Sequence, residues 1–531
     1  MQKMRIVKNY IYLMAAILLS VSCNTEKNSK PNIVFIFADQ LRSMDLGCYG
    51  SSQVNTPNID RLAHEGIQFT DAISTYPVCS PFRAMLMTGN YPVKNGMLTN
   101  DHMLKNPTPY FAEVCKNAGY NTAFIGKWHL NGLGRTVYIP KERQCGFDYW
   151  RALECTHDYF NSMYYKDNNS ETHYWEDYDA LDQARDACKY INREAGDEPI
   201  ALFLGWGPPH SPYIAPQEFM DRFSPEEIRL RPNVEDYAQA IEMWKQANTT
   251  CPESLKGIPE RITPALMDTT NSSIRQWYAG YFAAIEALDH YMGLILQTLE
   301  ERGILDNTII VFTSDHGDSL GSHRQKGKEL PYEESLSIPF LVRYPEKIAA
   351  GSKTEALLSP IDMMPTILSL ADVYCPDVDG KDLSGIAEGR ERDVQDAVLI
   401  MKLSWLGINW LTNGNGPWRG VRTKRYTYAR KSTSLEPWML FDNEKDPLQL
   451  NNLVDDPAYA KLLEKLDRRT DELLIEAEDP ENPFYFLNVI TKERNAENLP
   501  DRYHDFHPCF QKPGTVFRPY LEKYLLTDSD K

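Results

Sequence analysis

The sequence predicts an α/β protein with a large, mostly parallel β-sheet between layers of helices, followed by a smaller C-terminal α+β subdomain carrying an antiparallel sheet. Three observations predict it. Continuous apolar runs alternate with helical patterns, each apolar run ends in polar residues, and the pattern changes to short alternating strands after about residue 390. We therefore expect a first domain over residues 31–390 and a C-terminal subdomain over 391–531.

The apolar runs predict buried strands. Segments rich in β-branched and aromatic residues, bounded by turn formers, are typical of strands covered on both faces. The predicted strands lie at 33–38, 121–125, 199–206 and 308–312, and helical patterns lie at 56–66, 110–118, 179–194 and 273–302. Strands that alternate with helices indicate a parallel sheet.

The last part of the chain has a different pattern. Short strands are predicted at 398–401, 418–422, 426–430 and 438–441, before an amphipathic helix at 458–477. Closely spaced short strands favour an antiparallel sheet.

The first residues predict a targeting segment. Basic residues precede an apolar stretch at 10–19, which is too short for a comfortable membrane span. Ser22 stands directly before Cys23, which resembles a bacterial lipoprotein cleavage site. We predict a signal peptide at 1–22 and a lipidated tether at 23–30, hence an exported periplasmic or cell-surface lipoprotein that meets the membrane only through its lipid. A plain signal peptide followed by an incidental cysteine is the alternative.

Bulk charge and cysteine spacing exclude two classes of protein. The 56 basic and 74 acidic residues give a net charge of −18, which argues against nucleic-acid binding. None of the ten cysteines forms a CxxC pair, so a zinc ribbon is not expected.

Polar residues follow four of the predicted strands. Asp39 and Gln40, the segment 126–129, the segment 208–210, and Asp315 each come after an apolar run. Because the carboxyl ends of parallel strands meet at one edge of a sheet, we expect one site there. Oxygen ligands from Asp39, Gln40 and Asp315 suit Ca²⁺ or Mg²⁺.

The segment 79–83 has the sequence CSPFR and continues as AMLMTG. Pro81 suits the first turn of a helix, so Cys79 is expected at a helix N-terminus, where a thiolate is favoured. From these residues alone, a buried or disulfide-bonded cysteine is an equal alternative.

This C-x-P-x-R motif, followed by a short apolar stretch and Thr-Gly, resembles the signature of type I sulfatases in the alkaline phosphatase superfamily. The resemblance covers nearly the whole mature chain. Further motifs in family order are GKWH at 126–129, SDHG at 314–317, GKELPYEES at 327–335 and SPIDMMPT at 359–366. Two positions depart from the pattern: Phe82 replaces a common Ser or Thr, and Gln40 replaces the second Asp of an Asp-Asp pair.

The resemblance implies an alkaline phosphatase-like fold and two cofactors. A maturase oxidises Cys79 to Cα-formylglycine (3-oxoalanine). One Ca²⁺ is held by Asp39, Gln40, Asp315, His316 and residue 79, although His316, where many relatives have Asn, would also suit Mn²⁺ or Zn²⁺.

It also implies a mechanism. One hydroxyl of the hydrated aldehyde attacks sulfur while the metal polarises the sulfate oxygens, and Asp315 takes the proton. His210 with Lys328 is the acid for the leaving alcohol, and His129 is the base for sulfate release. Arg83 and Lys127 neutralise negative charge on the nucleophile and the sulfate.

Aromatic and polar residues at 155–165 and 173–175 are candidates for sugar binding, chiefly His157, Asn161 and Trp175. Resemblance to bacterial lipoprotein carbohydrate sulfatases implies an exo-acting glycan O-sulfatase. The expected substrate is a 6-O-sulfated N-acetylglucosamine or galactose-type sugar. The alternatives are a phosphonate or phosphate monoester hydrolase of the same superfamily and a non-catalytic glycan-binding lipoprotein.

Overall fold

The structure, a computed structural model, describes residues 30–105, 108–194, 198–234, 271–404 and 416–482. The predicted signal peptide, the lipidation site Cys23 and residues 483–531 of the predicted subdomain lie outside them. Among the helices of the described ranges, none is long and apolar enough to cross a bilayer.

Ten strands form one large sheet. They are β1 (Asn32–Asp39), β2 (Ile67–Phe69), β3 (Asn121–Lys127), β4 (Tyr149–Leu153), β5 (Met163–Lys166), β6 (Asn169–Tyr174), β7 (Ile200–Pro209), β8 (Thr308–Ser314), β9 (Phe340–Arg343) and β10 (Ser352–Thr354). Their order is β10-β2-β9-β8-β1-β7-β3-β4-β5-β6. The five central strands, from β8 to β4, run parallel. Antiparallel strands lie on either side, so the predicted α/β class is confirmed.

Helices cover both faces of this sheet. They are α1 (Pro57–Glu65), α2 (Cys79–Thr88), α3 (Pro92–Asn95), α4 (Phe111–Asn117), α5 (Asp179–Lys189), α6 (Gln217–Met220), α7 (Asn271–Glu301), α8 (Glu333–Leu336), α9 (Pro360–Leu370) and α10 (Ser384–Ala387). Alternate residues of β1 enter opposite cores. Val34 and Ile36 pack in the core that contains α1, α5 and α7, whereas Ile33 and Phe35 pack in the core that contains α2, α4 and α9.

The central strands extend further than the sequence predicts. β3 ends at Lys127, β7 at Pro209 and β8 at Ser314. The polar side chains that follow these apolar runs therefore lie at the last residues of the strands or directly after them. The aromatic segment 155–175, for which the sequence predicts no strand, contains β5 and β6, which form a hairpin at the edge of the sheet.

A separate four-stranded sheet forms the C-terminal part. Its strands are β11 (Ala397–Lys402), β12 (Trp418–Thr423), β13 (Tyr426–Lys431) and β14 (Pro437–Asp442), and α11 (Ala460–Glu476) packs on it. All three ladders are antiparallel, as predicted. The sheet also contacts the first domain: Lys402 pairs with Glu329 at 2.6 Å, and the Trp418 indole donates to the Glu329 carbonyl at 3.0 Å. These contacts fix the backbone directly after Lys328.

Gly126 lets β3 lie close to β7. Its φ is +105°, and a Cβ there would lie 2.2 Å from the carbonyl oxygen of Gly205. We expect Gly126→Ala to lower the free energy of unfolding by about 2 kcal/mol or more. Gly119→Ala is the control, because Gly119 also has a positive φ of +89° but no atom within 4 Å of the added Cβ. Chemical denaturation should show the larger loss for Gly126→Ala, and equal losses would contradict the steric argument.

Candidate active site

Cys79 is the first residue of α2, as its sequence predicts. Val78 is extended before it, Pro81 lies in the first turn, and Gly89 ends the helix with φ +64°. Every residue of α2 is buried. The backbone N–H groups of its first turn therefore favour negative charge at residue 79 in surroundings with little water.

Arg83 lies one helical turn after Cys79 and connects α2 to three strands. Its NH2 group is 3.1 Å from both Asp39 Oδ2 and Asp315 Oδ2. Its NH1 group donates to the carbonyl oxygen of Lys127. One buried guanidinium thus fixes the carboxyl ends of β1, β3 and β8 relative to the helix.

Four side chains surround the sulfur of Cys79. Sγ lies 3.0 Å from Lys328 Nζ, 3.3 Å from His316 Nε2, 3.7 Å from Asp39 Oδ1 and 3.9 Å from Lys127 Nζ. Burial and Asp39 raise the pKa of this thiol, but the three cationic groups outweigh them and hold the pKa well below its ordinary value. The site is therefore built to stabilise an anion at residue 79.

The same residues form a candidate metal centre. Ligand atoms of Asp39, Cys79, Asp315 and His316 all lie within 4.8 Å of one another. His316 donates from Nδ1 to the carbonyl of Gly317 at 2.9 Å, so in the neutral, metal-binding form of the ring the lone pair is on Nε2, which faces the cluster. Two buried carboxylates and one imidazole nitrogen suit a divalent ion.

Gln40 adds an amide oxygen at this edge. Its Nε2 donates to Asp318 at 2.5 Å, which leaves Oε1 to accept from Lys328 Nζ at 3.0 Å. The donor set of the predicted metal ligands is thus gathered in one place, with residue 79 contributing sulfur in its unmodified form.

The two carboxylates differ in proton affinity. Burial raises the pKa of Asp39, but Lys127 at 2.5 Å and other cations lower it well below its usual range. The pKa of Asp315 is raised by burial and by the charge of Asp39. Of the pair, Asp315 is therefore the better proton acceptor.

His129 follows β3 and has φ +60°. Its Nε2 lies 3.0 Å from Asp101 Oδ1. Burial alone would lower the pKa of His129, but Cys155, Asp101 and Cys79 raise it to about 10.

His210 follows β7 and differs from His129 in charge. Its Nδ1 donates to the carbonyl of Ser211 at 2.7 Å, and its ring stacks on His157 at a centroid distance of 4.3 Å and an angle of 6°. Burial and Lys328 hold the pKa of His210 well below its ordinary value, although Asp39 opposes them. His210 is therefore neutral near pH 7, whereas Lys328 keeps its charge, since Cys79 and Asp39 outweigh burial and raise its pKa.

The three sugar-binding candidates lie in different surroundings. His157 lies beside His210 and 3.8 Å from Cys155 Sγ. Asn161 is exposed, and its backbone N–H donates to Asp158. Trp175 is buried and stacks on Tyr164 of β5 at 3.9 Å, which makes it a packing residue of the hairpin.

Sequence reasoning missed three buried or partly buried groups around His129. Asp101 contacts its ring, and Glu154 accepts backbone N–H groups from residues 130–132. Burial raises the pKa of Glu154 to about 7. Burial also raises the pKa of Cys155, but Lys127, His129 and His157 lower it to about 5. Glu154 and Cys155 follow β4 directly, and the strand-end argument that found Asp39 would have found them if β4 had been recognised.

Comparison with known proteins identifies the family of the chain. A family model described as Sulfatase matches residues 31–373, and one described as N-sulphoglucosamine sulphohydrolase, C-terminal, matches residues 321–476. The chain is 38% identical over 461 residues to an ulvan-active sulfatase of Formosa agariphila, covering 86% of this chain and 83% of that one. It is 28% identical to an N-acetylglucosamine-6-O-sulfatase of Bacteroides thetaiotaomicron, covering 86% and 89%.

A solved structure in complex with its substrate D-glucosamine-2-N,6-O-disulfate is also similar. The TM-score is 0.73 at 26% identity, and the match covers 86% of this chain and 99% of that one.

The clustered carboxylates predict metal-dependent stabilisation. Adding a divalent ion at about 100 times its Kd to chelator-treated protein should raise the free energy of unfolding by about 2.7 kcal/mol. Calorimetric titration and unfolding with Ca²⁺, Mg²⁺ and Mn²⁺ measure the effect and rank the ions. Asp315→Asn should lose it, and Asp148→Asn, an exposed change, should keep it. An equal response of both variants would contradict the assignment.

Proposed function

Because the chain belongs to the sulfatase family and is a sulfuric ester hydrolase, we propose that it removes sulfate from carbohydrates through a formylglycine made from Cys79 and one divalent metal, with Ca²⁺ the expected ion. The observation that carries this proposal is the cluster of Asp39, Asp315, His316 and Lys328 around residue 79. Hydrated formylglycine at residue 79 would supply a hydroxyl nucleophile and a second ionisable hydroxyl, and a metal held by Asp39, Asp315 and His316 would polarise the sulfate oxygens.

The surrounding residues divide the proton transfers and the charge. Asp315 accepts the proton of the attacking hydroxyl, in keeping with its raised pKa. Arg83 and Lys127 balance negative charge at the carboxylates and at the bound sulfate.

Departure of the sugar alcohol needs an acid. The ammonium of Lys328 lies 3.0 Å from Cys79 Sγ and carries its proton at neutral pH. His210 joins it when an anionic ester binds, because the anion favours the imidazolium and raises the pKa of His210. His129 serves as the base for sulfate release in the matured protein, where formylglycine replaces the Cys79 thiol and so removes one of the groups that raise the pKa of His129.

The names of the relatives support a glycan substrate. One relative is an N-acetylglucosamine-6-O-sulfatase, and a similar structure holds a glucosamine disulfate. We propose exo-acting removal of a 6-O-sulfate from an N-acetylglucosamine or galactose-type sugar. An exported lipoprotein anchored through Cys23, which the N-terminal sequence suggests, would meet such glycans outside the cytoplasm.

One observation favours a second candidate, a phosphonate or phosphate monoester hydrolase. Gln40 is neutral where the family commonly has a carboxylate, and Lys328, Lys127 and Arg83 supply positive charge. A site with this charge balance can also accept a dianionic phosphate ester.

Matched esters of one sugar separate these candidates. We expect matured protein to hydrolyse N-acetylglucosamine 6-sulfate with a kcat/KM at least about 10²-fold above that for the 6-phosphate, since the chain belongs to the sulfatase family. Sulfate and phosphate release are measured directly. Cys79→Ala should lose either activity, and a preference for the phosphate ester would replace the sulfatase proposal with its rival.

A panel of defined sulfated mono- and disaccharides tests the position of the sulfate. We expect 6-O-sulfated sugars to react faster than the 3-O- and 4-O-sulfated isomers. His157→Ala should raise KM by about tenfold, because its partly exposed ring stacks on His210. His173→Ala, the same change on the β5–β6 hairpin, is the control. Indifference to sulfate position, or equal effects of both variants, would contradict the proposed specificity.

A further inference from the structure

We propose that Asp101 is a positioning residue that orients the imidazole of His129 for proton transfer at residue 79. The inference rests on the proposed function, in which His129 is the base for sulfate release. It assigns a role to a residue that neither the C-x-P-x-R motif nor the strand-end pattern identifies.

The two ring nitrogens of His129 differ in hydrogen bonding within the described residues. Nε2 is 3.0 Å from Asp101 Oδ1, so an ionised carboxylate keeps the proton on Nε2. Nδ1 is buried and has no hydrogen-bond partner among the described residues. In the neutral ring the lone pair is therefore on Nδ1, the nitrogen that Asp101 does not engage, and this is the nitrogen that the proposed function uses at residue 79.

Asp101 is itself held in place. Arg135 donates to it twice, from Nε to Oδ1 at 3.1 Å and from NH2 to Oδ2 at 2.9 Å. A two-point contact of this kind fixes the plane of the carboxylate as well as its position. Asp101 therefore presents Oδ1 to His129 in a defined direction.

The backbone around His129 is restrained from the opposite side. The Glu154 carboxylate accepts the N–H groups of Leu130 at 3.2 Å, Asn131 at 2.7 Å and Gly132 at 2.8 Å. His129 and Asp101 both have positive φ, at +60° and +56°, a region that few non-glycine residues occupy. Separate contacts thus fix the main chain and the ring of His129.

An aspartate in this relation to a histidine has a definite chemical effect. It fixes the tautomer, aims the ring and stabilises the imidazolium that forms when the histidine accepts a proton. Here His129 Nδ1 takes a proton from a hydroxyl of residue 79, the electron pair of that O–H bond forms the carbonyl bond, and sulfate leaves with the electrons of its carbon–oxygen bond.

The kinetic test uses matured protein carrying Asp101→Asn or Asp101→Ala. We expect kcat to fall by about 10²-fold. KM should fall with it, so that kcat/KM changes little, because only the step after alcohol release is slowed. Rapid mixing should then show a burst of alcohol ahead of slow turnover. Asp177→Asn, in an exposed pair with Arg185, is the control and should leave both constants unchanged.

A second readout does not depend on turnover. In protein labelled with ¹⁵N-histidine, the Nε2 proton of His129 should give a strongly downfield resonance, identified by its loss in His129→Gln. It should also be lost in Asp101→Asn and kept in Asp177→Asn. An unchanged resonance in Asp101→Asn overturns the inference whether or not the enzyme turns over. In the kinetic test, a loss of kcat/KM with KM unchanged also overturns it. Failure of wild-type protein on every sulfate ester counts instead against the proposed function.

Discussion

The site depends on one buried ion cluster, in which Arg83 bridges Asp39 and Asp315 while donating to the carbonyl of Lys127. Two carboxylates in a water-poor interior repel each other and lose hydration, which costs several kcal/mol per uncompensated charge. Arg83 and Lys127 offset that cost. Because Arg83 lies one turn after Cys79 on α2, the same ion pairs that stabilise the cluster also fix residue 79 at its centre.

The charges of this cluster also separate the roles of groups with similar chemistry. Asp39 is held ionised beside Lys127, whereas Asp315 has a raised proton affinity. His210 is held neutral, whereas His129 is held towards its charged form. These charge states belong to the protein with unmodified Cys79: the acid role of His210 requires the bound anionic ester, and the base role of His129 requires the loss of the Cys79 thiol. The loop after Lys328 is in turn fixed by Lys402 of the C-terminal sheet, so the smaller subdomain contributes to the geometry of the site.

Much of this arrangement could be predicted from sequence because it follows local rules. Apolar runs ending in Asp39, Lys127 and Asp315 identify the edge of a parallel sheet, and the spacing of Cys79 and Arg83 puts both on one helix face. Short strands such as β2 and β10, with three residues each, have too few residues for a period to be read.

Contacts made between distant segments could not be predicted in this way. Asp101 reaches His129 because two loops that are distant in sequence meet, and no local pattern encodes that meeting. Trp175 has the composition of a sugar-binding residue, yet the register of the β5–β6 hairpin stacks it on Tyr164 instead.

The central claim is that residue 79 acts in its oxidised form within this cluster. Its most direct measurement compares preparations made with graded amounts of maturase, quantifying formylglycine in the peptide that contains residue 79 by mass spectrometry beside the specific activity on a sulfated sugar. The account predicts activity proportional to the converted fraction, with a line through the origin. Full activity in protein whose Cys79 is demonstrably unmodified would contradict it.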